Sequence, residues 1–238
     1  MAGTVFLQAQ YLQFVLRYTP LAAGFALVPA ALGMLVGTGA GAHTASAFGG
    51  RVAVAAGTFV AAMGIATQAA FADGSSYVPT GIGLLLFGLG AGIAMAPATD
   101  LIMATLPTAR AGVGSAVNDT VRELGGALGV AIIGSIAATG YASTMRSQVG
   151  DVPGMGAAER QVASDNVGAA LELSHHLGTR ADDVATLARS AFVDAMSTSL
   201  WVAVGVTLVA TVVALVYLPR PARSADATAP SAPSGHRA

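Results

Sequence analysis

The chain has 238 residues, 54% of them hydrophobic and only 10% charged, with a mean hydropathy of +0.68. Soluble globular chains carry about 25% charged residues, so this composition excludes a fold solvated all round by water and points to lipid. Eleven arginines, no lysine and twelve acids give a net charge of -1, which offers nucleic acid no basic surface, and the lack of cysteine excludes a disulfide framework or thiolate metal site.

A bilayer core about 30 Å thick needs roughly 20 apolar residues in a helix, at about 1.5 Å rise each. On that measure six spans are predicted, at residues 4–16, 20–41, 52–71, 77–97, 122–141 and 196–218. Barrel strands are excluded because these stretches show no period-two alternation. The predicted fold class is therefore all-α, a polytopic membrane helix bundle.

The first segment is the shortest. It has no basic residue ahead of it and carries Gln8, Gln10 and Gln13, with no small-residue cleavage site before Arg17, so it reads as a membrane segment and not as a secretory signal. The three glutamines cannot all share one face, so one or two of them face a cavity or a neighbouring helix. Thr19 followed by Pro20 then gives a hydroxyl cap and a proline at the first helical position.

In the second span Gly33, Gly37 and Gly41 are spaced four apart, and Pro29 interrupts the apolar run near its middle. Glycines at that spacing form a flat stripe on which another helix can close, while the proline removes a hydrogen bond and kinks the helix. Residues 41–51 and 72–76 read as short polar turns, which make consecutive helices antiparallel. The fourth span carries a second glycine pair, Gly88 and Gly92, and Pro97 with Thr99 and Asp100 marks its end.

Residues 100–121, with Pro107, Arg110, Asn118 and Asp119, read as a loop holding short, partly interfacial helical pieces. Asp119 and Glu123 then fall on one helical face, with Arg122 three residues beyond Asp119 and the glycine pair Gly125 and Gly129 just after. Two readings of Asp119, Arg122 and Glu123 stand together: an ion-pair knot that fixes the helix entry, or a conformational switch whose salt bridges exist in one state only.

Residues 142–189 form a solvated insertion with four arginines and six acids. Within it 158–177 can make one helix, and 181–187 can run straight into the last span, giving a helix over 182–218 about 55 Å long. His175 and His176 beside Glu172 have no further fixed ligand, so no metal site is expected. No zincin, P-loop or nucleophile-elbow motif occurs, and neither enzymatic activity nor a cofactor is expected. The Pro-, Ala- and Ser-rich residues 219–238 read as a disordered tail.

Tyr11-Leu12-Gln13, then Pro20-Leu21-Ala22-Ala23-Gly24 and Pro29, and above all the run at 111–131, where small residues lead through Asn118 and Arg122 into Gly125, Gly126 and Gly129, carry a recognisable pattern. It resembles the carboxyl-terminal half of major facilitator superfamily exporters, in particular the fourteen-span drug:proton antiporters of the multidrug resistance type. The resemblance covers residues 6–218. It departs from the pattern at Glu123, where glutamine is common, and at Arg17-Tyr18-Thr19.

The resemblance implies one six-helix half of a major facilitator fold with a marginal first helix, taking part in proton-coupled export of drugs or other amphipathic small molecules by alternating access. It implies a multi-pass protein of the inner or plasma membrane with cytoplasmic termini. That agrees with an arginine bias of Arg51, Arg110, Arg122, Arg220 and Arg223 against Arg17, Arg146 and Arg189. Gln10, Gln13, Pro29 and Asn118 become candidates for the transport pathway. Besides lipid, protons and substrate, the expected partner is a chain supplying the amino-terminal half, since one half is incomplete alone and the first span reads as a remnant cut short. The competing reading is a membrane structural or interaction protein, or an inert fragment, with 142–189 as its docking surface.

Overall fold

The computed structural model describes residues 2–71, 76–104, 107 and 111–218. The expected turn around Asp73 and Gly74, Arg110, and the tail at 219–238 with Arg220 and Arg223 lie outside the described residues. Among those described the protein is all-helical, with no strand.

Among the described residues five helical stretches are long and apolar enough to cross a membrane: Pro20–Phe48, Gly50–Phe71, Val78–Met103, Ala111–Gln148 and Gly178–Tyr217. The expected first span does not reach that length. Helix α1 (Ala2–Gln10) passes into a π-helical segment, Tyr11–Val15, so nine and five residues are helical where about 20 are needed to span. Leu7, Tyr11 and Leu12 are nonetheless fully buried, and the segment belongs to the bundle core.

At α2 (Pro20–Ala26) the Thr19 hydroxyl accepts from the Ala22 N–H at 3.3 Å, and Pro20 needs no donor at the first position. The expected kink of Pro29 is an interruption two residues earlier, at Leu27, between α2 and α3 (Val28–Phe48). Pro29 has no N–H to continue the ladder, and the chain tightens around it: Leu27 donates to Gly24 and Ala30 donates to Leu27, at 3.2 and 3.0 Å. The Ala26 carbonyl, which Ala30 would otherwise reach, is taken instead by the Tyr77 hydroxyl at 2.7 Å.

Residues 41–51 are not a polar turn. Helix α3 continues to Phe48, and a single glycine, Gly49, with φ 90°, joins it to α4 (Gly50–Phe71). That conformation suits only glycine. The polar residues read as turn formers stay helical because their hydroxyls bond back along the helix, Thr44 to Ala40 and Ser46 to His43, each at 2.8 Å.

Pro97 likewise does not end its helix. It is buried within α5 (Val78–Met103), and the Ile93 carbonyl, which loses its helical donor to the proline ring, faces Gly41, where an added Cβ would lie 2.5 Å from it. The loop expected over 100–121 is helical from Ala111, where α6 (Ala111–Gln148) begins. Its 38 residues make a rod of about 57 Å.

The 158–177 helix is two helices, α7 (Ala157–Asp165) and α8 (Val167–Ser174), because Asn166 adopts an extended conformation and its side chain caps the second by accepting from Ala169 N–H at 2.8 Å. A short 3₁₀ turn leads into α9 (Ala181–Tyr217), a single helix of 37 residues.

Helix α5 lies between α3 and α4, α9 lies between α4 and α6, and α1 rests on α6. The α3/α5 seam is built by glycine. A Cβ at Gly33 or Gly37 would run into the carbonyls of Leu85 and Leu89, and one at Gly88 or Gly92 into those of Ala30 and Met34. In lipid, where no hydrophobic drive brings helices together, such close backbone contact is what holds them. Gly125 and Gly129 differ from each other: among the described residues nothing approaches the Cβ position of Gly125, whereas Gly129 lies against α1, its carbonyl 2.5 Å from where a Cβ on Gly3 would sit.

The α7–α8 pair and the turns on either side of it contribute to the core. Val152, Met155, Ala163, Val167, Ala170 and Leu177 are buried and join the main cluster through Val184, Ala188 and Met145. Tyr141 of α6 fastens it, its hydroxyl donating to the Ala163 carbonyl at 2.9 Å.

Candidate transport pocket and the exposed face of α6

Between α1, the π-helical segment, α6 and the α7–α8 elbow lies a cavity of about 720 Å³. Phe6, Phe14, Tyr141 and Phe192 supply aromatic walls, and Gly134 and Ser135 leave α6 flat where the cavity meets it. Its polar groups are few. Gln10 is half-buried, with no hydrogen-bond partner among the described residues, and Asp165 stands exposed on the elbow.

The segment 11–18, which gives Phe14 to the cavity, is held in an unusual geometry. Leu16 N–H donates to Tyr11 and Tyr18 N–H to Leu12, at 3.1 and 2.9 Å, and Arg17 has φ 58°. A non-glycine residue there is uncommon, and π-helical insertions concentrate at functional sites. The Phe14 carbonyl is bonded from another helix, by Arg189 Nε of α9 at 3.1 Å. This tie joins the cavity wall to the last span across 175 residues of sequence.

Of the residues singled out from sequence for the pathway, the cavity gathers Gln10 alone. Gln13 is half-buried and its amide bonds back to the Ala9 carbonyl at 3.1 Å. Pro29 belongs to the α2/α3 joint, and Asn118 is half-buried on the first turns of α6. Asp119, Arg122 and Glu123 are exposed and form no ion pair among the described residues, so the expected Asp119–Arg122 bridge is open in this structure. An exposed pair gains little beyond the entropy lost in holding it.

The face of α6 that bears these residues is almost bare. Ala2 of α1 reaches α6 near Gly126, and Val113, Val117, Val121, Leu124 and Leu128 are all exposed.

A buried polar pair sits deeper, and it seats Gln8, one of the three glutamines expected to face a cavity or a neighbouring helix. Gln8 of α1 and Gln68 of α4 are fully buried and bonded amide to amide, with Gln68 also donating to Gly64 at 3.1 Å and Gln8 Oε1 left without a partner. Gln68 stands out in the sequence as an amide within an otherwise apolar span, but its partner does not. Thr211 to Thr58, at 2.9 Å, and Ser197 to the Ala69 carbonyl, at 2.8 Å, tie α9 to α4 in the same manner.

No family model matches the chain. Similar curated proteins are efflux and resistance proteins. The chain is 29% identical to the multidrug efflux pump LfrA of Mycolicibacterium smegmatis over 192 residues, 80% of this chain and 37% of that protein. It is 29% identical to the tetracenomycin C resistance and export protein of Streptomyces glaucescens over 225 residues, 90% of this chain and 40% of that one. With the methyl viologen resistance protein SmvA of Salmonella typhimurium it shares 30% identity over 208 residues, 84% of this chain and 40% of that protein. The chain thus spans about two fifths of the length of these relatives. Long apolar helices and these similarities support a non-enzymatic role and identify a polytopic membrane protein related to major-facilitator-like multidrug efflux and resistance transporters.

Proposed function

We propose that this bundle is the carboxyl-terminal part of a proton-coupled exporter of drugs or other amphipathic small molecules, working in the inner or plasma membrane with cytoplasmic termini and moving substrate only together with a second bundle. The observation that carries this reading is the extent of the similarity: it runs over 80 to 90% of the chain onto proteins of efflux and export. The bare face of α6 favours the same conclusion. Lipid can cover its valines and leucines but offers nothing to Asp119, Arg122 and Glu123 where they enter the hydrocarbon. A facing bundle, with water between, accommodates both.

In this reading Gln10 lies on the substrate path, Asn118 faces the second bundle, and Asp119, Arg122 and Glu123 form their salt bridges in the access state opposite to the one described here. The Pro29 joint, clamped by Tyr77, lets α2 move relative to α3. Residues 142–189 lie in water at the membrane surface.

Resistance of cells tests this. The chain is expressed in an efflux-deficient bacterium, alone and beside the amino-terminal half of a related exporter, and the inhibitory concentration of a lipophilic cationic dye is measured. Resistance is expected from the pair and not from the chain alone. A chain that inserts and meets the amino-terminal half, yet never raises resistance, would instead be a structural or interaction protein.

A further inference from the structure

We propose that Arg17 and Arg189 form a binding site for a phosphoryl oxyanion at the boundary of the membrane, where the headgroup of an anionic phospholipid is at hand. The site does not depend on the exporter reading.

The backbone supplies the first observation. Among the described residues Arg17 is the single non-glycine residue with positive φ. Left-handed backbone costs a residue with a side chain about 1–2 kcal/mol and costs glycine nothing comparable. Arg17 gains no partner in return, since its side chain is exposed and makes no hydrogen bond or ion pair among the described residues. Strain held at one residue points to what its side chain reaches.

The second arginine is brought to the first. Arg189 Nε donates to the Phe14 carbonyl, three residues before Arg17, and so carries the guanidinium of α9 up to the strained turn. Phe14 is held from its other side, because a Cβ on Gly168 of α8 would lie 3.5 Å from its Cζ. With Nε engaged, both Nη groups of Arg189 are left without an acceptor among the described residues. The charges that act on Arg189 are Arg17, which opposes it, and Asp182, which favours it. Asp182 lies seven residues earlier, about 10 Å along the helix, and pairs with neither arginine. The carbonyl end of the π-helical segment thus accounts for one arginine, through Phe14, and offers nothing to the other. Two guanidiniums side by side repel, and an anion between them removes the repulsion. Their planar N–H forks match the oxygens of a phosphate.

Depth favours a lipid source. The first long apolar stretch begins at Pro20, three residues after Arg17, and the apolar run of α9 begins beyond Asp194, five residues after Arg189. Five residues of helix rise about 7.5 Å, and the headgroup layer is roughly 5–8 Å deep on each side of the hydrocarbon. Tyr18 and Tyr77, with ring centroids 6.2 Å apart, stand at the same level, as aromatic residues do at the membrane–water interface. Basic pockets between membrane helices at this depth take anionic headgroups.

The test follows thermal melting of the full chain in an uncharged maltoside detergent at fixed ionic strength, with phosphatidylglycerol, phosphatidylcholine or inorganic phosphate added. At a tenfold excess over its dissociation constant, phosphatidylglycerol is expected to raise the melting temperature of the parent by about 3–6 °C. Phosphatidylcholine, whose choline offsets its phosphate, is expected to give no shift. Arg17→Gly removes the charge, leaves the Phe14 tie in place and suits the backbone. It is therefore expected to melt no lower than the parent without lipid, and to lose the response to phosphatidylglycerol. Arg189→Gln is expected to lose the response as well, whereas Arg146→Gln, an exposed arginine near the same end of α6, is expected to keep it.

A response to phosphatidylglycerol and not to inorganic phosphate would assign the site to the lipid headgroup; equal responses, both lost in Arg17→Gly, would assign it to the oxyanion from either source. A response of Arg17→Gly equal to the parent's would overturn the proposal, as would a parent that responds to neither anion.

Discussion

Ala26 and Tyr77 show how a single missing N–H propagates. Pro29 cannot donate, the helix tightens at Leu27, and the carbonyl thereby released is rescued from 51 residues away. Removing only the hydroxyl, by Tyr77→Phe, leaves that carbonyl unpaired at a cost of about 1–3 kcal/mol. The expected result is a lower melting temperature in detergent than for Tyr18→Phe, whose hydroxyl makes no comparable bond; equal melting of the two would show that the rescue contributes nothing. Burial first, and then the neighbouring Tyr18, raise the Tyr77 phenol above the ordinary tyrosine value. Its contribution to stability is therefore full below the unfolded phenol's pKa of about 10 and is lost as pH rises through the higher folded value. Alkaline destabilisation is accordingly expected to be weaker in Tyr77→Phe than in the parent, each measured against its own neutral-pH stability.

The residues legible in sequence at this scale were those whose chemistry is local. The Thr19 cap and Pro20 needed only their own positions. The destination of the Tyr77 hydroxyl, the Gln8–Gln68 pair and the Arg189 tie to Phe14 were not legible, because each partner lies on another helix and nothing in the spacing of one helix names the residue opposite.

At the scale of the elements, glycine spacing and glycine environment part company. Gly33 and Gly37 share their four-residue spacing with Gly125 and Gly129, yet the first two lie against α5 backbone and Gly125 against nothing among the described residues. Periodicity marks a flat stripe; only the bundle says what lies on it. Gly33→Leu with Gly37→Leu is expected to prevent assembly of α3 on α5, seen as rapid proteolysis and loss of a cooperative melt in detergent. Gly125→Leu is expected to leave both as in the parent. Comparable damage from the two changes would mean that the α3/α5 seam does not hold the bundle.

Helix ends were the least legible feature of the sequence. The read of 20–41, 77–97 and 122–141 stopped where apolar residues thin out, but the helices run on to Phe48, to Met103 and back to Ala111. Backbone hydrogen bonds continue past the hydrocarbon, and hydroxyl side chains that would cap a soluble helix bond back along it instead. The Asn166 break ran the other way, since composition across 158–177 suits a helix throughout. Asn166→Ala removes the cap on α8, which costs about 1 kcal/mol, and amide exchange over residues 167–174 is expected to speed up by roughly fivefold. Unchanged exchange there would place the break in the tertiary contacts and not in the cap.

On the scale of the whole molecule the sequence conveyed the solvent, the helical class and the resemblance to exporters, because each is written in composition or in long ordered runs. It did not convey that α5 sits centrally between α3 and α4, or that the insertion extends the core and does not simply hang in water. Those follow from which faces meet. The outcome is a bundle with two unlike halves: α3, α4 and α5 closed tightly on one another, and α6 closed by α1 and α9 along its later turns but bare along its first.

That bareness makes completion by a second bundle the central claim, and purified protein tests it most directly. The chain is reconstituted in liposomes alone and together with the amino-terminal half of a related exporter, a pH gradient is imposed, and movement of a lipophilic cationic dye is followed. The expected result is gradient-dependent dye movement only with both parts present, diminished by Gly125→Leu, which the isolated bundle tolerates. Gradient-driven movement by this chain alone, as fast as by the pair, would contradict the account.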